Sequence, residues 1–255
     1  MPIEIRQFPC LSDNYGYLVR DRETGEVAAI DTPDAEAINA ALAREGWRLT
    51  HIFNTHWHPD HTGGNLALKD KWGCRIIGPR GEAAKIPGVD ALAGEGDMVS
   101  LGASAARVHD TPGHTLGHIV YHFADDHAAF VGDTIFALGC GRLFEGTPAQ
   151  MWESLSKIAA MPDDTELYCA HEYTQANARF ALSIDAGNDA LAARAKRIDA
   201  LRARSAPTVP STVAMERATN PFLRARDPSL QAALGMSGAD PVTVFAEVRK
   251  RKDKF

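Results

Sequence analysis

The chain has 255 residues, 45% of them hydrophobic and 24% charged, with a formal net charge of −6. That is an ordinary globular composition with room for one large domain, or one domain and a smaller companion, and its acidic balance argues against nucleic acid as a partner. No apolar run approaches the ~18–20 residues of a membrane span. The opening Met1-Pro2-Ile3-Glu4-Ile5-Arg6 lacks the basic and apolar regions of a signal peptide, so cytoplasmic residence is expected.

Residues 3–8 and 15–19 alternate as strands do, around a polar turn at 10–14. A strand at 27–30 ends at Asp31. A helix is expected from about Pro33, with proline in its first turn, Asp34 and Glu36 near its start and Gly46 as its stop. The β-branched, apolar run 50–54 reads as a buried strand, and after Thr62-Gly63-Gly64 a helix runs to Trp72 and closes at Gly73. Strands follow at 74–77, 99–101 and 105–109, then a hairpin of 118–123 with 128–131. Thr147 caps, and Pro148 opens, a helix to Ala160. The last clear strand is 166–169. Beyond Tyr173 the texture changes: 176–182 and 188–204 carry Ala, Leu, Arg and Lys at helical spacing, Pro207 and Pro210 interrupt, and a final helix spans about 242–250, with no strand-like run. Residues 1–172 therefore read as two sheets flanked by helices, and 173–255 as a helical domain.

The densest chemistry lies at Thr55-His56-Trp57-His58-Pro59-Asp60-His61, on a loop where a buried strand ends. Neutral imidazole and carboxylate are the usual ligands of zinc, and also suit iron or manganese. His56 and His58 are two apart, so an extended backbone points both the same way, while Asp60 and His61 follow on the turn and aim at a second point. That geometry suggests two metals. Downstream, His114 follows a strand on a glycine-loosened turn, and Asp133 and His171 directly follow strands, as a site along one rim of a sheet requires. Cys10, Cys74, Cys140 and Cys169 are scattered without a Cys-x-x-Cys pair, which excludes a disulfide framework and a structural zinc knuckle. His51, His109, His118, His122 and His127 fit no ligand slot and read as structural, with His118 a candidate to support the site by a hydrogen bond.

Thr-His-x-His-x-Asp-His resembles the signature of the metallo-β-lactamase superfamily. The resemblance implies an αββα sandwich with a C-terminal α-helical domain. It gives His56, His58 and His114 to a first metal, Asp60, His61 and His171 to a second, and Asp133 as the bridge. Two divalent ions per chain are implied, with zinc the first expectation and iron or manganese alternatives. Two cations held together can share a water, lower its pKa toward neutrality and polarise a carbonyl, so hydrolysis by metal-bridging hydroxide needs no Ser or Cys nucleophile.

Within that superfamily the chain resembles the glyoxalase II (hydroxyacylglutathione hydrolase) branch over nearly its whole length. The resemblance rests on Leu11-Ser12-Asp13-Asn14-Tyr15, on Gly139-Cys140-Gly141-Arg142-Leu143-Phe144-Glu145-Gly146-Thr147, on His171-Glu172-Tyr173-Thr174, and on the ending Arg249-Lys250-Arg251-Lys252-Asp253-Lys254-Phe255. It implies hydrolysis of S-D-lactoylglutathione to D-lactate and glutathione, the second step of methylglyoxal detoxification, with 173–255 as the substrate-binding domain. Arg142, Phe144, Tyr173, Arg249 and Lys252 are the expected substrate contacts. The branch often has Lys where Arg142 stands and Tyr where Phe144 stands: Arg142 keeps the charge, whereas Phe144 lacks a hydroxyl. A monomer is expected. The rival readings are a persulfide dioxygenase, which would use one iron and not need His171, a zinc β-lactamase, which would lack the helical domain, and a non-catalytic metal-binding module, which would miss ligands that are all present here.

Overall fold

The computed structural model describes residues 3–255; Met1 and Pro2, part of the amino-terminal stretch read for a leader, lie outside the described residues. The chain divides into two compact units, one running to Asp110 and taking in Leu116–Gly132, the other made of Thr111–Thr115 and Asp133–Phe255.

The first unit contains β1 (Ile3–Cys10), β2 (Asn14–Asp21), β3 (Val27–Ile30), α1 (Ala35–Glu45), β4 (His51–Phe53), the helical turn α2 (Pro59–Thr62), α3 (Asn65–Trp72), β5 (Arg75–Pro79), β6 (Ala91–Ala93), β7 (Met98–Leu101), β8 (Ser104–Asp110), β9 (Ile119–Phe123) and β10 (Ala128–Gly132). Its first sheet has the order β1-β2-β3-β4-β5-β6. Pairing is antiparallel as far as β3 and parallel from β3 to β6. Parallel strands are covered on both faces, which is why β3 reads Val-Ala-Ala-Ile without a polar residue. The helices α1 and α3 cover this sheet, and Ile38, Ala41, Leu42 and Leu68 share a core with Leu18, Ile52 and Ile76. The helix α1 starts later than expected, at Ala35, because Asp34 stays extended and accepts from the amides of Glu36 and Ala37 as its N-cap.

Strands β7 to β10 form an antiparallel meander in the same unit. It faces the first sheet through Tyr17 against Phe130, with centroids 5.6 Å apart, and through Phe53 stacked on Tyr121 at 5.2 Å. The buried Tyr121 hydroxyl donates to the Asn54 carbonyl at 2.9 Å, so this layer braces the end of β4. Because β3 and β4 run parallel, Asp31 and the histidine-rich loop emerge from the same edge of the sheet.

The second unit contains β11 (Ile135–Phe136), β12 (Gly139–Cys140), α4 (Pro148–Ala159), β13 (Glu166–Cys169), α5 (Thr174–Ile184), α6 (Asp189–Arg202), β14 (Ser211–Thr212), α7 (Val213–Thr219), α8 (Pro228–Leu234) and α9 (Pro241–Asp253). A capping box between Thr147 and Gln150 starts α4, with Pro148 at its first position. Leu138, Ala178, Ala181, Leu191, Ala195 and Ile198 form one apolar core, and Phe222 joins Phe180 to Phe245. The stretch after Tyr173 is not free of strand: β14 pairs antiparallel with β13, Leu167 facing Ser211. A two-residue strand carries no readable period, and α7 and α8, seven residues each, are likewise too short to announce themselves. All four cysteines are buried free thiols. Among the described residues no helix is long and apolar enough to cross a membrane.

Candidate metal centre and active-site cavity

In the first unit the ligand candidates hang on two strand ends. Asp31, just past β3, adopts the left-handed region at φ 56°. Its carboxylate accepts from the Thr55 amide and hydroxyl, each at 2.7 Å, and from His61 Nδ1 at 2.8 Å. With Nδ1–H donating to Asp31, the inward nitrogen of His61 is Nε2, which lies 3.5 Å from Asp60 Oδ2. Asn14 donates to that same Asp60 oxygen at 3.2 Å. His56 is fully buried, and its Nε2 is 3.0 Å from His58 Nδ1. One ligand atom each from Asp31, His56 and His61 lie within 4.8 Å of one another.

The loop that carries these groups is held from behind. The side-chain amide of Asn54 and the backbone amide of Thr32 donate to the His61 carbonyl at 3.0 and 2.8 Å. The buried Glu82 carboxylate accepts from the amides of Trp57 at 3.0 Å and Gly117 at 2.9 Å, tying two loops together. His118 is stacked on His56 with ring centroids 4.8 Å apart. Gly132 closes the space: at φ 48°, a Cβ there would come within 2.6 Å of the Thr55 hydroxyl and 2.7 Å of His118 Nε2.

In the second unit Asp133, His114 and His171 meet. His114 Nδ1–H donates to the Arg142 carbonyl at 2.9 Å, which turns Nε2 toward Asp133 Oδ2 at 3.4 Å. His171 Nε2 stands 3.4 Å from the other oxygen, Oδ1. One carboxylate thus has an imidazole nitrogen beside each of its oxygens. The His171 ring lies parallel to that of Tyr173, at 4.7 Å and an interplanar angle of 3°, and edge-on to Phe136 at 5.8 Å. The loop under His114 is fixed by Ser154 Oγ donating to the Pro112 carbonyl at 2.8 Å and by the Gly146 amide donating to Gly113 at 3.0 Å. His61 and His114 are buried imidazoles, each with one nitrogen turned toward a carboxylate oxygen and the other held by a hydrogen bond, which is the kind of donor a divalent ion takes.

A cavity of about 520 Å³ in the second unit is lined by His114 and Asp133 together with all five expected substrate contacts. The five are not equivalent. Arg249 is buried, its guanidinium gripping Asp253 Oδ1 at 2.9 and 2.6 Å and the Cys140 carbonyl at 3.1 Å, so its fork builds the wall. Lys252 Nζ reaches the Ala176 carbonyl at 3.3 Å and sits over the rings of Phe180 and Phe255. Burial, reinforced by the cations Arg249, Arg179 and Arg142, pulls its pKa down to about 8. Phe144 is 62% exposed, with its ring 5.2 Å from that of His114, and Tyr173 is 38% exposed. The Cys140 thiol also lines the cavity, but burial pushes its pKa up to about 11, so it does not offer a thiolate.

Sequence reasoning missed Asp31 and Glu82. Asp31 left one signal, a carboxylate ending an apolar strand. Glu82 left none, since its partners lie 25 and 35 positions away.

A family model for the metallo-beta-lactamase superfamily matches residues 16–171, and one for the hydroxyacylglutathione hydrolase C-terminus matches 172–255. Curated relatives named hydroxyacylglutathione hydrolase include one from Maricaulis maris, 57% identical over 251 residues and 98% of both chains. The chain belongs to the hydroxyacylglutathione hydrolase family of the metallo-beta-lactamase superfamily. Another member, from Rhodopseudomonas palustris, is 53% identical over 254 residues and 100% of both chains. Among solved structures, ETHE1 from Myxococcus xanthus is similar at a TM-score of 0.67 and 24% identity, covering 99% of this chain and 100% of that one. The B3 metallo-beta-lactamase BLEG-1 is similar at 0.66 and 22%, covering 86% and 99%. These two likenesses establish the metallo-beta-lactamase fold. Membership of the superfamily implies bound metal ions, in keeping with the donors above.

Proposed function

We propose that this chain hydrolyses glutathione thioesters, S-D-lactoylglutathione first among them, to the 2-hydroxy acid and free glutathione. The observation that carries the reading is the cavity in which His114 and Asp133 share walls with Arg142, Tyr173 and Lys252. An anionic peptide with a thioester at its end needs such a place: cations and a phenol for the peptide, a hydrolytic centre for the acyl group.

His56, His58 and His114 would hold one divalent ion and Asp60, His61 and His171 a second, with Asp133 available to both; zinc suits this set, and so do iron and manganese. Such ions, when bound, acidify a coordinated water and polarise the thioester carbonyl. The protein's own part is positioning. Asp31 holds His61 and Thr55 in place, and the Arg142 carbonyl fixes which nitrogen of His114 faces inward. Lys252 pairs with a glutathione carboxylate in a charge-assisted hydrogen bond, and Arg142, exposed on the same cavity, supplies a second cation. Arg249 acts indirectly, by fixing Cys140 and Asp253. The leaving thiolate, whose acid has a pKa of about 8.5, departs without a general acid.

The test is thiol release from S-D-lactoylglutathione, set beside nitrocefin and glutathione persulfide. Turnover of the thioester alone supports the reading. Turnover of either rival substrate in its place overturns it.

A further inference from the structure

The turn that joins β11 to β12, residues 136–139, is gripped by side chains remote in sequence. Leu138 takes the left-handed region at φ 60°, a conformation a branched side chain adopts rarely and keeps only where its surroundings over-determine it. Here they do. The Leu138 amide donates to Glu216 Oε2 at 2.9 Å. The Asn220 side-chain amide donates to the carbonyls of Phe136 and Gly139, at 3.2 and 3.0 Å, and to Glu216 Oε2 at 2.9 Å. The Asn177 side-chain amide donates to the Ala137 carbonyl at 3.1 Å. Four backbone polar groups of a four-residue turn are thereby satisfied by three side chains. Gly139 lies so near Asn177 that a Cβ would approach its amide nitrogen to 2.4 Å.

Glu216 is fully buried, and its second oxygen accepts from Arg194 at 2.5 Å and from Ser211 at 2.6 Å. Arg194 in turn donates to Thr219 Oγ1 at 2.6 Å. A wholly buried, fully paired charge network stabilises weakly against an apolar replacement, and its best-attested use is to fix one geometry. What this network fixes is chemically pointed. The turn connects Asp133 to Arg142, its flanking residues Phe136 and Cys140 line the cavity, and the Arg142 carbonyl orients His114.

We propose that Glu216, Asn220 and Asn177 are positioning residues, which set the cavity wall between Asp133 and Arg142 so that the glutathione portion of the substrate meets its cations. This deepens, and rests on, the thioester-hydrolase reading.

The experiment compares wild type with Glu216→Gln and Asn177→Ala. Glutamine offers one acceptor oxygen to four converging donors, and the alanine leaves the Ala137 carbonyl without its amide. Each protein is assayed on S-D-lactoylglutathione and on a small neutral thioester of the same acyl group, with melting temperature and metal content measured alongside. The loss of a buried hydrogen bond to a charged group predicts a KM for the glutathione thioester raised about tenfold in Glu216→Gln, with kcat nearly kept and the neutral thioester unaffected. Asn177→Ala buries no charge and carries the same selective rise, about threefold, should the glutamine variant not fold. Loss of both substrates in equal proportion, or a lowered melting temperature with unchanged KM, overturns the positioning role. If wild type itself neither turns over nor binds glutathione thioesters, the functional reading falls and the positioning role with it. If wild type works and the folded variants match it, only the positioning role falls.

Discussion

Lys252 is the cation whose behaviour follows most directly from its surroundings. Its ammonium is partly buried over Phe180 and Phe255, among Arg249, Arg179 and Arg142, with Asp253 opposing them, and burial is the largest reason that its pKa falls to about 8. It is therefore about nine-tenths charged at pH 7 and about one-tenth charged at pH 9. A substrate carboxylate placed against it restores the charge and gains a charge-assisted hydrogen bond, worth about 1.5–3 kcal/mol when desolvated and nearer the lower figure at this half-open site. Lys252→Ala is thus expected to raise KM about tenfold at pH 7 and to leave kcat close to wild type. In wild type, affinity should weaken as pH rises through 8, because the free enzyme loses the proton that binding requires. Lys252→Arg, always charged, should flatten that rise. The assay is inhibition by S-methylglutathione between pH 6.5 and 9.5, where the inhibitor carries no titrating thiol and its amine acts equally on all three proteins. A flat wild-type profile, or a Lys252→Ala variant that loses kcat at unchanged KM, refutes the reasoning.

Three further outcomes are expected. Asp31→Asn removes the carboxylate that orients His61 and Thr55, and should lower metal affinity or activity about 10–100-fold, read by chelator competition; unchanged retention would contradict that role. Phe144→Tyr adds a phenol to an exposed ring at the cavity, and a single new hydrogen bond predicts a KM lowered about fivefold; no change would mean that the ring does not reach the substrate. His122 is buried beside His109, Arg107 and His127, and burial above all lowers its pKa from 6.5 to about 4. The unfolded chain then binds more protons than the folded one between those values, so stability is whole above pH 6.5 and declines by about 3 kcal/mol as pH falls to 4. His122→Gln should shallow that acid limb in urea titrations, and an unaltered slope would exclude His122 as its source.

The metal candidates were legible because each follows a strand end and because four of them sit in one heptapeptide, His56 to His61 with its leading Thr55. Local pattern was enough there. It was not enough for Asp31, whose bonds to Thr55 and His61 span 24 and 30 positions, nor for Glu216, which meets Leu138 across 78. Contacts of that range exist only after parallel pairing of β3 with β4, or packing of α7 beneath the turn, has brought the partners together. The C-terminal basic run shows the same limit from the other side. Arg249, Arg251 and Lys252 look alike as a charged tail, yet α9 turns Arg249 inward to Asp253 and Cys140, leaves Arg251 with Glu247, and places Lys252 on the cavity. Two-residue strands such as β14 escaped because two residues define no period.

The most direct test is a metal titration of the purified, chelator-stripped protein with Zn²⁺, followed by thiol release from S-D-lactoylglutathione at each step. The account predicts that activity rises to a plateau at two equivalents and that His56→Ala shows no such rise. A plateau at one equivalent, or full hydrolysis in the stripped protein, would contradict it.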